Sequence, residues 1–75
     1  MVSKKVKLEI YDLDDKVGED VGYLSRNGRL YDATRIALYH GINAYHHRQE
    51  GNVIHLFAEG GTALGRIVIV DRDTT

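Results

Sequence analysis

The chain has 75 residues, ten Lys/Arg against eleven Asp/Glu, and no Cys, Pro or Trp. That length allows one domain, 1–75, with a core that stays marginal because so short a chain buries only about 60% of its unfolded surface. Disulfides, thiolate metal sites and cysteine nucleophiles are excluded, and the net charge of −1 argues against both a DNA-coating protein and an acidic DNA mimic. The longest apolar runs are only four or five residues, against the roughly 20 that span a membrane. No apolar stretch follows the charged N-terminus, so neither a membrane segment nor a secretion signal is expected, and the cytoplasm is the expected compartment. The ends, 1–3 and 72–75, read as flexible.

Residues 4–11 alternate, with Val6, Leu8 and Ile10 on one side and Lys5, Lys7, Glu9 and Tyr11 on the other, the period of a strand with one buried face. Asp12 to Asp20 places five acids in nine positions around Gly18. Charge density and glycine both disfavour a strand, so a solvated loop is expected. Asn27-Gly28, flanked by Tyr23, Leu24, Leu30 and Tyr31, predicts a short hairpin, because this pair accepts the positive φ angles of a type I′ turn.

Asp32 is placed to cap a helix starting at Ala33, and Gly51 to close it, which predicts one helix over 33–50. Its inner half carries Ala33, Ala37, Leu38, Gly41, Ile42, Ala44 and Tyr45. Its outer half carries Arg35, Ile36, Tyr39, His40, Asn43, His46, His47 and Glu50. Strand, turn and strand follow over 53–58, 60–65 and 66–70. The β-branched run Ile67-Val68-Ile69-Val70 suits a strand covered on both faces. One helix covers only one face, so the other is expected to meet a second subunit, a partner or the 12–22 loop. The expected fold is α+β: a single domain with one main helix on a mostly antiparallel sheet of about four to five short strands.

Several patterns that suggest chemistry fall short of it. Among the four histidines, His40 and His47 are about 10.5 Å apart along a helix axis. His46 with Glu50 is the only i, i+4 ligand pair and lacks a third ligand, so no metal site is expected. A calcium loop starting at Asp12 would need ligands where Lys16 stands and glycine where Val17 stands. Gly60-Gly61-Thr62-Ala63-Leu64-Gly65 lacks the lysine and following helix of a phosphate loop. With no catalytic motif and little room for a deep pocket, neither an enzyme nor a cofactor is expected.

The outer helical stripe combines Arg, Tyr and His, the composition of interface centres. The expected function is a small protein-binding regulator or inhibitor, of the accessory kind that phage and plasmid genomes encode. It would pair with itself through the sheet, and Arg35, Tyr39, Asn43 and His46 would touch the partner. The alternative is a winged helix-turn-helix DNA-binding regulator, on the spacing of Ala37, Gly41, Ile42 and Asn43. Gly41 would then break the helix and 43–50 would form a recognition helix. Asn43, His46, His47, Arg48 and Gln49 would contact bases and phosphates, with Arg66 near the wing tip. His47 stands where such modules bury an aliphatic residue, and the Gly18–Gly22 region is poor material for the preceding helix.

Overall fold

A computed structural model describes residues 4–72. The elements are β1 (Lys4–Asp12), β2 (Asp15–Leu24), α1 (Ala33–Tyr39), β3 (His46–Glu50), β4 (Val53–Phe57) and β5 (Ala63–Arg72). All five strands join one antiparallel sheet in the order β2-β1-β5-β4-β3. The broad α+β expectation fits this small domain. The expected flexible ends lie outside the described residues, except for Arg72, which belongs to β5.

One face of the sheet builds the core. Alternation sends Val6, Leu8 and Ile10 of β1, Ile54 and Leu56 of β4, and Ile67 and Ile69 of β5 inward. Leu24, Leu30, Ala33, Ile36, Ala37 and Ile42 complete the cluster from β2, α1 and its flanks. Ala33, Ile36 and Ala37 of the helix belong to this cluster, and the helix lies in the connection from one sheet edge, β2, to the other, β3. Among the described residues no element covers the outward face: Val68 is half-buried and Val70 exposed, so these residues cover β5 on one side rather than two.

The acidic segment after residue 12 is a strand, not a loop. Only Leu13 and Asp14 turn, and β2 then pairs with β1 from Asp12↔Asp15 to Lys4↔Leu24. Edge strands tolerate charge. The glycines that suggested a loop serve close approach instead. A Cβ on Gly18 would fall 2.6 Å from the His40 ring, and one on Gly22 2.9 Å from Leu30 and 3.0 Å from Leu8. The Asn27-Gly28 hairpin exists, closed by Gly28 N–H to the Ser25 carbonyl (2.9 Å), with Leu24 bridging Leu30. Gly28 alone of the pair has positive φ, so the turn is not the expected two-residue type I′.

The helix is shorter than 33–50. It ends at Tyr39 because Gly41, at φ 85°, adopts the left-handed conformation that stops a helix. Gly41 N–H bonds the Leu38 carbonyl (3.0 Å) and Ile42 N–H the Ala37 carbonyl (2.9 Å), the two bonds of a Schellman motif, with Ile42 buried behind them. Residues 46–50 form β3, so the recognition helix of the alternative reading is absent, although its break at Gly41 is real. Gly51 (φ 60°) turns the β3–β4 hairpin rather than ending a helix. Asp32 does precede α1, but in a left-handed conformation without a side-chain cap bond. Ile36 is buried, whereas Leu38 and Tyr45 are exposed, reversing their assigned faces.

Candidate functional site

The four residues proposed to meet a partner do not share a surface. Arg35 and Tyr39 lie one helical turn apart on the side of α1 opposite buried Ala33, Ile36 and Ala37. Leu38 joins them, and Tyr39 is 73% exposed. Asn43 is exposed in the segment after the helix. His46 opens β3 opposite Phe57, whose neighbours Ile54 and Leu56 point into the core, so His46 and Phe57 project from the outward face. The helix stripe and His46 are therefore on opposite sides of the sheet.

Part of the alternative set does come together. His46 stacks on Phe57 at 5.2 Å between ring centroids, and the Arg48 guanidinium lies 5.9 Å from the same ring. Arg66 lies 4.4 Å from the centroid of the Tyr11 ring, on the same outward face. Gln49 has another role. Its amide accepts Leu30 N–H (2.9 Å) and donates to the Gly28 carbonyl (2.7 Å), fastening the 28–30 segment to β3. His47, opposite Leu56, remains exposed at the sheet edge.

Register aligns a row of outward side chains across the sheet. Lys16 pairs with Tyr11, Tyr11 with Arg66, Arg66 with His55 and His55 with Arg48. Strand spacing makes this row about 19 Å long. Carboxylates flank it. Lys16 contacts Glu19 (2.6 Å) and Glu9 (3.3 Å), Arg66 contacts Asp14 (3.5 Å), and Glu50 serves both Arg48 (3.4 Å) and His55 (3.5 Å). Hydrogen bonds to Glu19 and then Glu9 raise the Lys16 pKa, and the Lys16 contact lowers that of Glu19. Donation to Glu9 (2.9 Å) raises the Tyr11 pKa.

Two further polar groupings are present. His40 meets Asp20 at 3.0 Å above Gly18, tying the end of α1 to β2; this hydrogen bond, then that from Val21 N–H, lowers the Asp20 pKa. An open depression of about 450 Å³ is lined by Lys7, Leu8, Glu9, Glu19, Asp20, Val21 and Val70. Among the described residues, no group of three or more His, Asp or Glu is placed to hold a metal ion, and no helix is long and apolar enough to cross a membrane.

Sequence reasoning missed the ring cluster because it placed 46–50 on a helix. The signal available was Gly51-Asn52, a two-residue hairpin turn directly before the strand Val53–Phe57. Comparison with family models, curated proteins and solved structures finds no match to this chain.

Proposed function

We propose that this chain is a non-enzymatic binding module, a small regulator or inhibitor that acts by occupying a surface of a partner protein. The observation that supports this reading is the exposed stripe of Arg35, Leu38 and Tyr39 on α1. A seven-residue helix whose buried side is Ala33, Ile36 and Ala37 turns Leu38 and Tyr39 to solvent. Tyr and Arg together supply contact area and directional hydrogen bonds, as in the residues that dominate interface energies. Asn43, exposed in the segment after the helix, is the further contact of this proposal. His46, on the other side of the sheet, is not part of it.

Self-association belongs to the same proposal, through the outward face near Val21, Tyr23 and Val70. Each of these is about half exposed.

The test is affinity capture with immobilised wild-type protein and a Leu38→Ser/Tyr39→Ala variant, with the fold of each checked by circular dichroism. Proteins retained by the wild type and lost from the folded variant are the expected result. An unchanged set of retained proteins would overturn the helix-stripe reading.

A further inference from the structure

We infer that the outward face of β3, β4 and β5 is a platform for single-stranded nucleic acid. This surface is separate from the α1 stripe, and the inference does not depend on that reading.

The first support is ring chemistry. Phe57 is flanked on this face by stacked His46, by Arg48 and by His55, whose ring centroid lies 6.5 Å away. Tyr45, 65% exposed, meets His46 edge-on at 6.0 Å. Aromatic rings on an open sheet let bases stack whatever their sequence, and arginine adds cation–π attraction. A duplex offers no free base faces, and this face is made of the strands β3, β4 and β5 rather than of a helix that could enter a major groove.

The second support is the cross-strand row of Lys16, Arg66, His55 and Arg48. Lys16 stands on β2, Arg66 on β5 and Arg48 on β3, with Tyr11 of β1 and His55 of β4 between them, so hydrogen-bond donors run across the sheet as a strand of phosphates requires. The carboxylates that now hold them are replaceable. Arg48 and Glu50 are both more than half exposed at 3.4 Å, and Asp14 beside Arg66 is almost wholly exposed. Exposed pairs of this kind contribute little to stability, so exchanging a carboxylate for a phosphate costs little. The same carboxylates keep the surface from being uniformly basic, so binding is weak, and it falls with salt because each neutralised phosphate releases counterions.

The experiment uses the full chain and a fluorescein-labelled single-stranded thymidine oligonucleotide of about ten nucleotides, followed by fluorescence anisotropy. The expected result is saturable binding that weakens at least tenfold between about 50 and 200 mM salt. Unlabelled single strand displaces the labelled strand, and duplex of equal length does so poorly. Arg48→Ala and His46→Ala each weaken binding severalfold, while Leu38→Ser leaves it unchanged.

Lack of saturable binding at the lower salt overturns the inference. So does an Arg48→Ala variant that binds like the wild type, or displacement by duplex as effective as by single strand. Equal displacement by a polyglutamate peptide also overturns it, because it would mark a surface that takes any acidic chain, an acidic protein segment included. Failure here leaves the α1 stripe untouched, because Leu38 and Tyr39 lie on the other side of the sheet from the rings and arginines the oligonucleotide would touch.

Discussion

The side chain of Gln49 on β3 and the backbone of Leu30 form a 2.9 Å hydrogen bond, while the same amide donates to the Gly28 carbonyl at 2.7 Å. Residue 30 also bridges Leu24 at the opposite edge strand, β2. The sheet's two edges are thus linked through one short segment, held at one end by a side chain acting as a neighbouring strand's backbone would. Replacing Gln49 with Ala strips the Leu30 N–H of its acceptor in a part-buried setting, and should cost about 1–3 kcal/mol. Urea unfolding measures this, and Gln49→Glu, which keeps the acceptor and loses the donor, should fall between. A wild-type midpoint for Gln49→Ala would show that the clamp contributes nothing.

Gly41 gives a test whose sign is decisive. In a continuous helix, Gly41→Ala would stabilise by about 1 kcal/mol. At φ 85° in a Schellman motif the same change should instead destabilise by about 1–2 kcal/mol, because a Cβ is strained there. Thermal or urea denaturation separates the two outcomes. No neighbouring atom lies within 4 Å of the added Cβ, so the effect reports backbone conformation alone.

These two positions also show what the sequence makes legible. β1 is readable from Val6, Leu8 and Ile10 because a buried face imposes period two. The pairing of β4 with β5 is equally plain from their apolar runs. β2 and β3 are hidden for the opposite reason. They are edge strands, and DKVGEDVGYL and HHRQE carry little apolar alternation for a pattern to reveal. Gly18 and Gly22 look like chain breakers until His40, Leu30 and Leu8 are seen packed where their side chains would stand. For the surface residues, Arg35 and Tyr39 keep a shared face because their spacing falls within the true helix. His46 leaves that face because it lies beyond Gly41.

Acid should act through Asp20. The hydrogen bond from His40 holds the Asp20 pKa below its ordinary value of 3.8, so the folded protein binds this proton less readily than the unfolded chain. The resulting stabilisation is present above the unfolded pKa and is lost as pH falls below about 3.8 through the folded value. Asp20→Asn should therefore lower stability near neutrality, with the gap to wild type closing in acid. Denaturant midpoints across a pH series measure it. A gap that is constant with pH would mean that the Asp20–His40 hydrogen bond contributes nothing to stability.

Gly65 permits β5 to lie against the Tyr11 carbonyl, where a Cβ would overlap that oxygen. Gly65→Ala should destabilise by about 1–3 kcal/mol through the forced backbone shift. The ring and cation pair of Tyr11 and Arg66 should loosen with it. Calorimetry, together with near-ultraviolet dichroism of the tyrosines, tests both parts. A transition unchanged from the wild type would mean that β1 and β5 separate freely at this point.

The central claim, that the exposed side of α1 meets a partner protein, is tested most directly by position-specific photo-crosslinking in the cell of origin. A photoreactive phenylalanine analogue replaces Tyr39 in one protein and Thr62, at the exposed β4–β5 turn, in another. The expected result is a discrete adduct from position 39 that disappears with Leu38→Ser, and no such adduct from position 62. Adducts of equal yield from both positions, or one at position 39 indifferent to Leu38→Ser, would contradict it.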